Sequence, residues 1–169
     1  MPIKSGQIVI RTLDGLAQGL RVAVMAIVSS MVVIVGLQVA LRYLFNMSLD
    51  WADEFSRLAF VWMIFLGIPL AARARSHVAL TMLVDRLVPR TRLAWTRVLA
   101  LVSAAIAGVA AVEAAALCLE QWDELMASLD WSAQWFIVPV ALGMGITALF
   151  FVEQAIWPQA HAQHEAETV

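Results

Sequence analysis

The charged residues that could do chemistry together lie between Arg42 and Arg57. Asp50 is predicted to cap a helix, with Asp53 and Glu54 in its first turn, where carboxylates favour the positive end of the helix dipole. Arg57 follows these acids by four and three residues, so a helix would place its guanidinium beside both. The chemistry available to this set is ion pairing. Either Arg42 reaches the lipid headgroups, or it pairs with Asp53 or Glu54 across a turn and locks a hairpin.

The remaining candidates for chemistry are three histidines and one cysteine. His77 is interpreted as a headgroup or cap contact, with a proton relay as the sharper alternative. His161 and His164 with Glu165 resemble a weak metal site, but a disordered terminus is the favoured interpretation. Cys118 is the only cysteine, which rules out an intrachain disulfide and a thiolate cluster. We therefore expect no catalytic group, no cofactor and no bound metal.

The composition indicates that these residues belong to a membrane protein. Hydrophobic residues make up 62% of the chain and charged residues only 14%, with a mean hydropathy of +0.82. Uncharged runs separated by charged clusters predict an all-α membrane protein with four transmembrane helices. The two middle runs reach a full span only if flanking residues join them. The spans are predicted at about residues 22–44, 55–72, 95–118 and 131–152, in one domain of residues 1–157 followed by a disordered polar tail of residues 158–169.

The basic residues predict the orientation of the spans. Nine of the eleven lie before the first span or between the second and third: Lys4, Arg11, Arg21, Arg73, Arg75, Arg86, Arg90, Arg92 and Arg97. The segment from Glu113 to Asp130 contains no Lys or Arg. By the positive-inside rule both termini are predicted to be cytoplasmic (N-in/C-in). The first apolar run exceeds a signal-peptide core, so we expect it to remain as a signal anchor.

Two shorter segments have the pattern of amphipathic helices. Residues 76–88 carry an apolar stripe and end before Pro89, which predicts a short amphipathic interfacial helix between helices 2 and 3. Residues 1–21 predict a second short interfacial helix that leads into the first span. Within the second span, Pro69 leaves the Phe65 carbonyl without its helical donor, so we expect a kink or a partner group there.

Small and aromatic residues indicate how the spans pack and where they meet the interfaces. Ala100, Ala104 and Gly108 are spaced four apart, which predicts a face for close helix packing. An outer aromatic belt is predicted from Trp51, Trp122, Trp131 and Trp135, an inner one from Trp95 and Trp157, and Trp62 is left deeper in the second span.

Several functional classes fit this sequence poorly. A haem-carrying anchor needs axial histidines within its helices, whereas all three histidines lie at or beyond helix ends. A proton-coupled exporter needs an intramembrane acid, and Glu113 is expected at the outer interface. Nothing indicates nucleic-acid binding. The sequence therefore predicts a membrane subunit that acts through partners, with membrane lipids around it.

Residues 42–89 resemble the small membrane subunit of the tripartite ATP-independent periplasmic (TRAP) transporters. The resemblance rests on the order and spacing of particular residues and extends over about residues 13–155. Those residues are Arg42-Tyr43, Phe45-Asn46, Trp51, Glu54, Arg57, Trp62, Phe65-Leu66-Gly67, Arg73, His77, Asp85 and Pro89. Pro69, two residues after Gly67, departs from the small apolar residue expected there.

The resemblance implies a complex in the bacterial inner membrane. It implies a large membrane subunit that binds sodium and substrate and moves by an elevator-like motion, with a periplasmic binding protein that delivers an organic acid or related solute. The small subunit would be the scaffold. We expect Arg42, Trp51, Asp53, Glu54 and Arg57 to fix the outer hairpin, and the segment containing His77 to hold the inner side. The alternatives are a structural or regulatory four-helix membrane protein without transport, or the membrane anchor of a redox complex.

Overall fold

The computed structural model of the protein describes residues 3–74, 89–126, 128 and 130–156, and these form four long α-helices. All four are long and apolar enough to cross a membrane, which confirms the prediction of an all-α chain with four such helices. The interfacial helix predicted at residues 76–88, His77 and the tail of residues 158–169 lie outside the described residues. The helices are α1 (Ile3–Phe45), α2 (Asp50–Arg73), α3 (Pro89–Glu120) and α4 (Val138–Ile156), with a 3-10 segment (Ala133–Phe136) before α4.

Helix α1 corrects one prediction and shows how the first hairpin begins. It is a single helix from Ile3 to Phe45, so the separate short helix predicted for residues 1–21 is wrong. The helical pattern of that segment continues into the first apolar run without a proline to interrupt it. The helix ends before Asn46, whose φ of 52° is a left-handed conformation that asparagine tolerates. Helix α2 begins at Asp50 with Leu49 in the cap position, so Asp50 lies in the first turn and is not the cap.

The four helices form an open row in the order α1, α2, α4, α3. The principal helix contacts of the described residues join α1 to α2, α2 to α4, and α4 to α3. Helices α1 and α3 are therefore the two outermost helices of the row, and each has a neighbour on one side only. None of the most apolar stretch of α1 is buried. The fold thus presents wide apolar faces of the kind that lipid or another membrane protein covers.

Alanines bring α3 and α4 into close contact. Ala100, Ala104, Ala107 and Ala114 of α3 are buried, at intervals of four, three and seven residues that follow one face of a helix. The predicted small face is therefore right at Ala100 and Ala104, but Gly108 has no atom within 4 Å of the position a Cβ would take. The reason is geometric, because a strict four-residue spacing drifts around the helix by about 40° at each step at 3.6 residues per turn.

Helices α2 and α4 cross where a proline has freed a carbonyl group. Pro69 is fully buried in α2, and its ring nitrogen cannot donate to the Phe65 carbonyl. Gly143 of α4 lies against this carbonyl so closely that a Cβ on Gly143 would be 2.0 Å from the Phe65 oxygen. The Gly143 backbone is thus the partner group expected there, through a Cα–H···O contact. Thr147 donates its hydroxyl to the Gly143 carbonyl at 2.7 Å and remains within its own helix.

Candidate functional site at the two polar ends of the row

The helices of the row have two polar ends, and a charged cluster holds together the end at which α2 and α4 finish. The cluster is centred on Arg73, in the last turn of α2. Its Nη1 donates to Oε2 of Glu153 on α4 at 2.8 Å, and its Nε donates to Oδ1 of Asp14 on α1 at 3.1 Å. The Glu153 side chain is 3% exposed and that of Arg73 12% exposed, whereas Asp14 is about half exposed. One guanidinium therefore connects three of the four helices with charge-assisted hydrogen bonds.

The surroundings of this cluster are apolar, which raises the importance of its pairing. The Arg73 guanidinium carbon lies 4.8 Å from the centre of the Phe150 ring, within the range of a cation–π contact. Phe150 also packs with Leu20 of α1 and Leu66 of α2 in the buried core. A charge enclosed in this way is tolerated only while its partner is present, since removing one partner leaves the other charge buried.

Sequence reasoning missed this cluster, because it treated Arg73 and Glu153 only as the limits of two spans. A signal was nevertheless present. The first span begins, and the second and fourth end, on the same side of the membrane in any four-span chain. Arg73 and Glu153 therefore lie at one level, with Asp14 on the same side, and one base with two acids on a common side is a candidate ion-pair cluster.

At the opposite polar end, where α2 begins, the predicted ion pairing is found in part. Nη2 of Arg57 lies 2.6 Å from Oδ2 of Asp53, one helical turn away, and both side chains are mostly exposed. Asp53 thus pairs with Arg57 within α2, and the described contacts give no pair between Arg42 and Asp53. Arg42 is exposed in the last turn of α1. The hairpin of α1 and α2 is therefore closed by its backbone turn and not by an Arg42 ion pair with Asp53.

Glu54 has a partner that the sequence does not predict. Its Oε2 accepts a hydrogen bond of 2.7 Å from the backbone amide of Ser128, in the connection between α3 and α4. That connection has a defined shape, because the Met126 amide donates to the Trp131 carbonyl at 2.8 Å and the Ala133 amide to the Glu124 carbonyl at 2.7 Å. Glu54 thus attaches the start of α2 to the second hairpin of the protein.

Two tryptophans make a second attachment nearby. The indole N–H of Trp62 donates to the backbone carbonyl of Trp135 at 3.1 Å, and the two rings lie 6.2 Å apart between centroids. The partly buried indole thereby has an acceptor for its N–H. Sequence reasoning gave Trp62 no role, since a backbone acceptor on another helix leaves no mark in the sequence. Trp51 lies in the first turn of α2 with 39% of its surface exposed.

The site contains no arrangement that points to a metal in the part of the chain that the structure describes. There, no three His, Cys, Asp or Glu residues are placed to hold an ion. The Cys118 thiol contacts the Gln134 side chain, with 3.7 Å between Sγ and Oε1. His77, His161 and His164 lie outside the described residues. The two polar ends have a mechanical role, because the contacts at each of them join helices of different hairpins.

Four apolar helices in an open row, attached to one another at both polar ends, define a multi-pass membrane protein. Residues 31–160 match the family described as "Tripartite ATP-independent periplasmic transporters, DctQ component". This match covers most of the chain, and the chain belongs to that family of TRAP transporter small permease subunits.

Similar curated proteins carry the same description. A putative TRAP transporter small permease protein of Haemophilus influenzae is 39% identical over 72 residues, which are 43% of this chain and 45% of the relative. The sialic acid TRAP transporter small permease protein SiaQ of Vibrio cholerae is 33% identical over 75 residues, 44% of this chain and 42% of the relative. The chain thus spans less than half the length of the curated relatives it matches.

Proposed function

We propose that this chain is the small permease subunit of a TRAP transporter complex in the bacterial inner membrane, with both termini in the cytoplasm. Its partners would be a large membrane subunit, which binds sodium and substrate and moves as an elevator, and a periplasmic substrate-binding protein. The family supports the first part of this proposal. The small subunit would act as a membrane scaffold that enlarges the static part of the transporter.

The observation that supports the scaffold role is that the helices are attached to one another at both polar ends. Alternating access requires one body to stay still while another moves past it. An open row of helices has little buried core, so it needs other means to stay rigid. The Arg73 cluster at one polar end, and the Glu54 and Trp62 hydrogen bonds at the other, supply those means.

The substrate class is proposed from the relatives. One of them is named as the small permease of a sialic acid transporter. We propose uptake of an organic acid or a related solute, with the choice of solute made by the large subunit and the binding protein. The residues Arg42, Trp51, Asp53, Glu54 and Arg57 would support the complex at its periplasmic side, and His77 with the segment of residues 76–88 at its cytoplasmic side.

Reconstitution tests this function. The chain, the large subunit and the binding protein encoded beside it would be purified and combined in proteoliposomes, with the solute of that binding protein as substrate. Uptake driven by a sodium gradient is expected only when all three are present. Two results would overturn the proposal: uptake by this chain alone, or full uptake by the large subunit and the binding protein without it.

A further inference from the structure

One face of α3 points away from the other described helices. Helix α3 contacts α4 through its alanine stripe, and the residues turned away from that stripe include Val102, Ile106, Val109 and Leu117, which are 47% to 65% exposed. Glu113 lies in their midst, four residues after Val109 and four before Leu117, and is exposed as well. We call these five residues the α3 outer face. It is an apolar helix surface with one carboxylate near its centre.

The position of Glu113 within α3 indicates a deeper level than the outer interface, where the sequence analysis expects it. Helix α3 continues to Glu120, so Glu113 is seven residues, or about 10 Å, short of the helix end. Cys118 gives an internal reference, because its thiol contacts Gln134, which is next to Trp135 of the predicted outer aromatic belt. Glu113 is five residues before Cys118, which puts its backbone about 7 Å further into the apolar layer.

The direction of the side chain makes escape from that layer difficult. Side chains on a helix lean toward its N-terminus. Helix α3 begins at the same polar end at which α2 finishes. The short Glu113 carboxylate therefore leans away from the Trp135 level and toward the middle of the helix. Arg21 on α1 shows the contrast. It leans toward the polar end that Asp14 and Arg73 occupy, and its long side chain can reach the headgroups there.

A carboxylate at this depth needs a partner. No hydrogen bond or ion pair joins Glu113 to any of residues 3–74, 89–126, 128 and 130–156. A charged group on a lipid-facing surface is costly, and ionisable residues within membrane helices usually face another protein element or a cavity. The exposed stretch of α1 between Val22 and Leu41 has no ionisable residue at all, so lipid alone can cover it.

We propose that the α3 outer face binds a transmembrane helix of the large subunit, and that Glu113 accepts hydrogen bonds from an arginine or lysine of that helix. This inference rests on the proposed function, because that function supplies the large subunit. Helix α3 then forms the protein interface, and helix α1, on the other side of the row, faces lipid. The apolar residues around Glu113 exclude water from the pair, which strengthens it.

Matched substitutions on the α3 outer face test the pairing. In full-length tagged protein co-expressed with the large subunit, Glu113→Leu is expected to reduce the large subunit recovered in detergent by at least about tenfold, since it leaves a buried cation without its partner. Glu120→Leu is the control, because Glu120 is on the same side of α3 but at its polar end, and recovery should not change. The thermal midpoint of each variant purified alone should equal that of the wild type. Unchanged recovery with Glu113→Leu would overturn the proposal.

Cross-linking separates this inference from the proposed function. In a Cys118→Ala background, a photo-reactive group on Val109→Cys of α3 should capture the large subunit, and the same group on Val33→Cys of α1 should not. Capture from Val33 alone, or capture of a second copy of this chain from Val109, would refute the α3 interface while co-purification of the large subunit still supported the proposed function. Failure of the wild-type chain to co-purify with the large subunit would refute both.

Discussion

Arg73 and Glu153 are 80 positions apart in the sequence and form a buried ion pair of 2.8 Å between α2 and α4. Asp14 joins the same guanidinium from α1, so a single side chain links the first, second and last helices of the chain. The remaining helix, α3, is held to α4 by its alanine stripe. The position of every helix in the row therefore depends, directly or through α4, on a contact that an individual substitution can remove.

Removing the Arg73 side chain should destabilise the protein far more than removing that of Arg57. Arg73→Ala leaves the buried Glu153 carboxylate without this partner, which is expected to cost about 3–5 kcal/mol. Arg57→Ala breaks an exposed pair with Asp53, whose side chains are 73% and 64% exposed, and should cost less than about 1 kcal/mol. The measurement is the thermal unfolding midpoint in detergent micelles. Similar midpoints for the two variants would show that the Arg73 cluster does not hold the row together.

The crossing of α2 and α4 can be tested with two glycines of the same helix. Gly143→Ala places a Cβ 2.0 Å from the Phe65 oxygen, so a backbone must move, at an expected cost of about 1–3 kcal/mol. Gly145→Ala meets only the Ala111 Cβ at 3.9 Å, an ordinary contact, and should be neutral or slightly stabilising. Unfolding midpoints and yields of the purified proteins report the difference. An equally stable Gly143→Ala variant would argue against close packing at this crossing.

The sequence predicts the number of helices well because apolar length is a local property. The partner of a polar group depends on how helices are rotated and ordered in the row, and no local pattern records this. Arg73 and Glu153 were recognisable as the ends of spans but not as a pair, and Glu54 was assigned to Arg42 or Arg57 although it also binds the Ser128 amide.

The Trp62 hydrogen bond should stabilise the segment before α4. Trp62→Phe keeps an aromatic ring but removes the N–H that donates to the Trp135 carbonyl, at an expected cost of about 1–2 kcal/mol. Hydrogen exchange of the amides in residues 133–137 should speed up in this variant. Trp51→Phe is the control, since Trp51 is partly exposed at the start of α2, and exchange in the same segment should be unchanged. Faster exchange in both variants would point to a general loss of packing and not to this bond.

Glu54 should be needed for uptake because it attaches α2 to the connection between α3 and α4. Glu54→Ala removes the acceptor of the Ser128 amide, so residues 122–132 should become more accessible to protease and assembly with the large subunit should weaken. We expect uptake in the reconstituted system to be abolished. Glu120→Ala, which removes an exposed carboxylate at the end of α3, should keep nearly full uptake. Normal uptake and normal co-purification with Glu54→Ala would show that this attachment is dispensable. The scaffold would then depend on the polar end that contains Arg73.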